Sequence, residues 1–407
     1  MKNHSIIGLI VTSFVFFSIS CNEPAKRDAD FGIIEVDKAI GKDKILNLGD
    51  YVQNIQYIKL ETSNNILLGQ ILQIVYENNK FFLLDHPGKT CKIFDINGDF
   101  KGTVGAVGQG PGEYPHCFSF DYFLDTDMVM LRTSPSGLFF YNSARDLTRI
   151  TGQGGFSEQL NGARFRNTMF LDSTTYISDI VSFNKAPHRI VIFNDLQILD
   201  TIPIRSHIDK DDGGLFRGVE IGVMYRFKDN IIHYKPLEDT VFSIDNTMEM
   251  KEHLVFQYGK HKWRLKEDVR RSDWIYVKKM HETSQYVFIE FAAGPTLATE
   301  RFAYVNLDGA YSQDNRICGV FNKHTGKLSL MKQPIPAKLG FKNDIDGGLP
   351  FWPKYITSSG ELVDYYQAFE FIAAFEGKEN IPEDVKAILK DLKDDDNPVV
   401  AIAKLKE

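Results

Sequence analysis

The chain has 407 residues, of which 43% are apolar and 25% charged, with a formal net charge of −7. This is the make-up of an ordinary globular protein with room for a large core, and it excludes a disordered or collagen-like chain. The mild acidic excess gives no footing for a nucleic-acid surface, so no nucleic-acid partner is expected.

Residues 1–20 read as an export address. Lys2 supplies a positive start, Ile6 to Phe17 is an apolar run too short to span a bilayer comfortably, and Ser18 and Ser20 lead into Cys21. Small residues running directly into a cysteine resemble a bacterial lipobox, in which the cysteine is lipidated and becomes the mature N-terminus. A plain secretory signal cleaved elsewhere is the rival reading. Acyl chains on Cys21 would hold the body at a membrane surface through burial of their methylenes. Residues 21–30 are polar and read as a flexible tether. Order is expected from Phe31, with a short strand around Ile33, Ile34 and Val36. The remaining cysteines, Cys91, Cys117 and Cys318, are odd in number and lack C-x-x-C spacing, which points to buried free thiols, or a single chance pair, rather than a disulfide framework or a zinc site.

The next stretch organises the rest. Ile93, Phe94 and Ile96 run into Asn97-Gly98, read as a two-residue type I′ turn, and Phe100 and Val104 continue beyond it. Gly105 to Gly112 carries too many glycines for a strand or helix interior and must be a specific loop. An apolar residue followed by Asp or Asn closes a β-rich run here and four times more, at Phe94-Asp95, Tyr141-Asn142, Phe193-Asn194, Ile244-Asp245 and Phe321-Asn322. Each marker is flanked by further short β-rich segments, and the markers stand 47, 52, 51 and 77 residues apart (positions 95, 142, 194, 245 and 322). Four antiparallel strands in about 40–50 residues is a propeller blade. The longer last interval predicts an insertion near Gly259 to Ser284.

A sixth blade is assembled from both ends of the chain. Phe351 to Thr357 and Leu362 to Tyr366 read as its inner strands, Pro398 to Leu405 as its third, and Ile55 to Leu60 as its fourth. Closure by both termini removes the exposed edges of an open stack. Between the second and third strands, Pro382 to Lys393 has acids in its first turn and Val385, Ile388, Leu389 and Leu392 on one face, which predicts one short C-terminal helix. The expected fold is all-β, a six-bladed β-propeller of four-stranded antiparallel blades over residues 31–407.

On three stretches the chain resembles the six-bladed, NHL-like β-propeller lipoproteins of Bacteroidetes. They are Tyr57-Ile-Lys-Leu-Glu-Thr62, Ile93 to Gly98 with its Gly105 to Tyr114 tail, and Asp394-Asp-Asp-Asn-Pro398. The markers Tyr141-Asn-Ser-Ala-Arg and Ile244-Asp-Asn-Thr-Met lack the turn glycine. The resemblance implies a propeller held at the cell envelope, at the outer membrane, rather than a particular reaction.

Function in such a fold is expected where outer strands connect to the next inner strands, here about 61–68, 107–116, 151–163, 205–217, 259–272 and 333–349. Gln109, Glu113, Tyr114 and His116 in the glycine-rich loop, Arg164 and Arg166, Asp212 and Arg217, and Asp346 and Trp352 are the candidate ligand-binding residues. Asp-Gly-Gly-Leu occurs twice among them, at 212–215 and 346–349. Gly108-Gln-Gly-Pro-Gly-Glu lacks the Gly-Lys-Ser/Thr ending of a phosphate loop and reads as a structural turn, with Glu113 bonding backbone amides of a neighbouring blade. No histidine pair has metal-ligand spacing and no Gly-x-Ser-x-Gly elbow is present, so no metal, cofactor or catalytic residue is assigned. A binding or scaffold protein for a glycan, peptide or protein partner is expected, with a propeller lyase or hydrolase as the alternative. Histidines clustered in the channel would favour the latter.

Overall fold

The computed structural model describes residues 32–86, 89–133, 137–152, 164–181, 188–203, 222–236, 238–264, 271–298, 300–305 and 311–406. After a first strand, β1 (Gly32–Glu35), and a single helical turn, α1 (Val36–Ala39), the chain enters β2 (Val52–Lys59) and then builds its blades in order. The first contains β3 (Gln70–Glu77), β4 (Lys80–His86), β5 (Cys91–Asp95) and β6 (Phe100–Val104). The second contains β7 (Cys117–Phe123), β8 (Met128–Thr133), β9 (Gly137–Tyr141) and β10 (Leu147–Gly152). The third contains β11 (Arg164–Phe170), β12 (Tyr176–Val181), β13 (His188–Phe193) and β14 (Ile198–Pro203). The fourth contains β15 (Val223–Phe227), β16 (Asn230–Tyr234), β17 (Thr240–Ile244) and β18 (Met250–Gln257). The fifth contains β19 (Ile275–Glu282), β20 (Tyr286–Ala293), β21 (Arg301–Val305), β22 (Tyr311–Asn322) and β23 (Lys327–Met331). In the sixth, β24 (Tyr355–Ile356), β25 (Leu362–Tyr366) and β26 (Val399–Leu405) are completed by β2, giving the order β24-β25-β26-β2. The protein is a six-bladed β-propeller.

Closure follows the sequence expectation. Ile55 pairs with Ala403 and Lys59 with Val399, antiparallel. Asn397, immediately before β26, fastens this seam: its amide donates to the carbonyls of Glu61 and Ile66, both at 2.6 Å, and its Oδ1 accepts the Leu68 N–H at 2.7 Å. The Asp-Asp-Asp-Asn-Pro stretch therefore carries a clamp between the two ends of the chain.

The five markers also have a common physical cause. Each Asp or Asn follows or ends a third strand, and its side-chain oxygen accepts N–H groups of the turn into the fourth. Asp95 takes those of Asn97 (2.9 Å) and Asp99 (3.1 Å), Asn194 those of Leu196 and Gln197, Asp245 those of Thr247 and Glu249, and Asn322 those of His324 and Thr325. Asn142 takes that of Asp146. These are side chains doing the work of a backbone turn. The first turn is not type I′, however. Gly98 N–H bonds the Asp95 carbonyl at 2.9 Å and only Gly98, at φ +87°, is left-handed, so a type I turn is followed by a glycine bulge. Arg145 (φ 70°) and Met248 (φ 67°) occupy the same left-handed position in two of the blades whose turn lacks the glycine.

Central strands are sandwiched between neighbouring blades and read as continuous apolar runs: Phe81 to Leu84 on β4 are all buried, as are Val399 to Ala403 on β26. The inter-blade core is rich in aromatic rings, Phe81, Phe94, Phe140, Phe170, Tyr176 and Phe193 among them. The expected C-terminal helix is α3 (Glu383–Asp391), and another, α2 (Ala368–Phe375), precedes it; both cover the sixth blade, with Phe371 and Phe375 against Tyr57. Two expectations are corrected. The fifth-blade insertion lies between β20 and β22, where β21 pairs with an extended β22, rather than at 259–284. The innermost strand of the sixth blade is confined to Tyr355–Ile356; Phe351 instead bridges Phe341.

The segment ahead of β2 runs along the rim. β1 adds in parallel to β18 of the fourth blade, Lys44 bridges Met331 of the fifth, and Asn47 bridges Lys342 on the way to the sixth.

Candidate functional site

The inner strands β3, β7, β11, β15, β19 and β24 surround the axis, and side chains stitch them together where no ladder can form. Gln73 donates to the Phe120 carbonyl at 2.7 Å and accepts the Phe120 N–H at 3.1 Å. Asp121 accepts the Phe170 N–H at 2.8 Å, and Arg226 donates to the Phe170 carbonyl at 2.6 Å. Tyr225 donates to Glu282 at 2.9 Å. Between the strands lies a cavity of about 430 Å³, the size of a small-molecule site.

Its acids are all engaged. Glu77 accepts from the Tyr355 hydroxyl (2.9 Å) and from the N–H and hydroxyl of Ser358 (both 2.7 Å). Asp121 faces Arg226 at 3.6 Å, although burial still raises its pKa. Glu282 is held by Tyr225, by His253 at 2.9 Å and by Lys323 at 2.5 Å; burial alone would raise its pKa, but His253 and Lys323 win and lower it.

The wall made by the fifth and sixth blades is cationic. Lys279, His281 and Lys354 line the cavity there. Behind them Glu290 accepts Trp352 Nε1–H at 3.1 Å and an Arg316 N–H at 3.0 Å. Burial opposes its charge, yet Lys354, Lys279 and Arg316 outweigh that and bring its pKa down to about 2. Asp364 accepts the N–H groups of Trp352 and Tyr365, each at 2.8 Å, and burial pushes its pKa up to about 6 against the pull of Lys354. Lys354 is raised, because Asp364 and Glu290 overcome its burial. Lys279 is lowered by burial and by Lys354 and Arg316, and His281 is driven well below the usual histidine range by burial and then by Lys279. His281 Nε2 is buried with no hydrogen-bond partner.

None of the described sequence candidates lines this cavity. Gln109 is exposed, and Glu113 bonds the Gly110 N–H of its own loop at 2.8 Å, rather than a neighbouring blade. A Cβ on Gly108 would lie 1.9 Å from the Glu113 carboxylate, which would have to swing aside and give up its bond to Gly110. Tyr114 is buried and donates to the Val104 carbonyl at 2.8 Å. His116 meets Phe118 edge-on at 4.7 Å between centroids, with Arg132 over the same ring, and burial lowers its pKa. Arg164 opens β11, its side chain outside the described residues; Arg166 follows on that strand with Nε buried and unbonded. Asp212, Arg217 and the first Asp-Gly-Gly-Leu lie outside the described residues. Asp346 builds its own turn, accepting from Tyr57 (2.9 Å), Asn343 (2.7 Å) and Gly348 N–H (2.7 Å). Trp352 is part of the wall behind the cavity, through Glu290 and Asp364.

Sequence reasoning missed Lys279, His281, Lys354, Glu290 and Asp364, which sit in unremarkable strand patterns. Among the described residues one histidine, His281, lines the cavity, and no three His, Cys, Asp or Glu side chains are set to hold a metal ion. Cys91, Cys117 and Cys318 are free and buried.

The chain is similar to several solved structures. A Bacteroides fragilis protein described as exported superposes with a TM-score of 0.65 at 14% identity, over 93% of this chain and 100% of that one. A DUF4221 family member from Bacteroides vulgatus reaches a TM-score of 0.48 at 11% identity, over 87% and 97%. A Bacteroides thetaiotaomicron protein of unknown function reaches 0.42 at 11%, over 87% and 76%. No curated protein matches the chain. The model of one family, a domain of unknown function, matches residues 31–404, and the chain belongs to that family, DUF4934.

Proposed function

We propose that the protein is an exported binding protein of the cell envelope whose axial cavity takes a small ligand, a short glycan or peptide. One observation carries this reading: the cavity is preformed, and every acid lining it among the described residues is already held by protein donors. Such a lining supplies shape and fixed charge while leaving no carboxylate free to act as general acid or base, which favours capture over a lyase or hydrolase reaction. Export, with lipidation at Cys21 and residence at the outer membrane, belongs to the same proposal. It is supported by the apolar run ending in Ser-Ile-Ser-Cys21 and by the B. fragilis protein of like fold described as exported. The kinship with NHL-like propeller lipoproteins is proposed on the same footing.

A glycan and peptide binding screen on protein lacking residues 1–30 tests the function. Hits competed by one another and weakened by filling the cavity, for example with Met224→Trp, are expected; turnover of a bound glycan or peptide would overturn it. For the anchor, Cys21→Ser is expected to move the protein from the membrane to the soluble fraction.

A further inference from the structure

We infer that the cavity recognises an acidic sugar, one or two rings bearing a carboxylate or sulfate, through the open ammonium groups of Lys279 and Lys354. The inference rests on the cavity-binding reading above and deepens it.

Most cations around the cavity have an acid partner. Arg226 has Asp121, Lys323 has Glu282, Lys278 has Asp314, and Arg316 has both Asp314 (2.6 Å) and Glu290 (3.0 Å). Lys279 and Lys354 line the same wall, yet among the described residues neither has a carboxylate within the 4.0 Å of an ion pair. The two acids whose field they feel, Glu290 and Asp364, stand behind them with oxygens occupied by Trp352, Arg316 and Tyr365. A buried histidine nitrogen without a partner, His281 Nε2, lies on this wall as well. Charge without a counter-ion in a recessed cavity is costly, and an incoming oxyanion would supply the partner that Lys279 and Lys354 lack.

The remaining walls are aromatic. Tyr122, Tyr225, Tyr355 and Tyr365 line the cavity, and each hydroxyl is tied back into the protein, to Asp127 (2.6 Å), Glu282 (2.9 Å), Glu77 (2.9 Å) and the Ile71 carbonyl (3.1 Å). The hydroxyls are thus spent on the protein, so these tyrosines offer the cavity apolar ring surface, Tyr122 the least because its ring packs on Phe82 at 4.6 Å between centroids. Flat aromatic panels beside a cationic wall suit a sugar ring with one negative group better than an extended peptide.

The test is calorimetric titration of the full chain with glucuronate, glucose 6-sulfate and glucose. At least one acid is expected to bind about tenfold or more tightly than glucose, the size of one charge-assisted contact, and the two acid arms tell carboxylate from sulfate. Affinity for the acid is expected to fall with added salt, and Lys279→Met and Lys354→Met are each expected to weaken it about tenfold or more. If both variants misfold, the salt dependence of the unsubstituted protein decides. Equal affinity for glucose, indifference to salt, or failure of both acids to bind overturns the inference. Should the acids fail while a neutral glycan or a peptide still competes for the cavity, only the acidic-sugar inference falls. If nothing binds, the binding reading falls with it.

Discussion

Replacing Glu290 with Gln isolates the most heavily loaded charge in the molecule. The side chain keeps its shape, so a bond to Trp352 Nε1 survives, but the negative charge among Arg316, Lys279 and Lys354 is removed. Glu290 is only 4% exposed, and solvent does little to screen these contacts. Its pKa is brought from 4.5 down to about 2. At roughly 1.4 kcal/mol per unit, this corresponds to about 3 kcal/mol of folding stability at neutral pH. The sign is that of a depressed carboxyl: the contribution is complete above pH 4.5 and is lost as pH falls through the folded value near 2. Urea titrations of wild type and Glu290→Gln should therefore differ by about 3 kcal/mol at pH 7 and converge as the pH falls from about 5 toward 2. A difference below about 1 kcal/mol at pH 7, or one that is flat with pH, would refute the electrostatic account of this wall.

Three other outcomes are expected. Gly98→Ala should cost about 2 kcal/mol in thermal unfolding, because φ is +87° and the new Cβ would sit 2.0 Å from the Lys59 carbonyl oxygen. Asn397→Ala should cost about 3 kcal/mol by leaving the Glu61 and Ile66 carbonyls and the Leu68 N–H without their partner, and amide exchange should rise first along β2 and β26. Lys279→Met, in contrast, should raise the urea midpoint, by about 1 kcal/mol, since it removes a charge disfavoured by burial and by two neighbouring cations. A fall in that midpoint would mean that Lys279 is held by the fold rather than kept open.

The propeller was legible because its signals are local. A strand followed by an Asx side chain that closes the next turn leaves an apolar residue and Asp or Asn at a regular interval, and this survives even where Arg145 or Met248 replaces the glycine. Closure was legible because Ile55 to Leu60 had no other blade to join. The insertion was misplaced because marker spacing measures the length of a repeat and not which hairpin has grown; β21 is built from Arg301–Val305. Helix α2, Ala-Phe-Glu-Phe-Ile-Ala-Ala-Phe, has nearly the apolar density of a strand and gave no clear period. The site was the least legible part. Lys279, His281, Glu290, Lys354 and Asp364 come from four strands or their flanks, and no spacing in the chain relates them. The glycine-rich loop drew notice because special backbone geometry leaves a sequence trace, whereas charge gathered by folding leaves none.

The strip of chain ahead of β2 also decides how this molecule would respond to tension. A load applied at the N-terminus reaches the four residue pairs of β1 with β18 first, then the lone bridges at Lys44 and Asn47, and only afterwards the β2–β26 seam. Ile34, Val36 and Leu48 of that strip are fully buried, so a pull from this end must first draw apolar side chains out of the outer blades before it reaches the seam that keeps the ring shut.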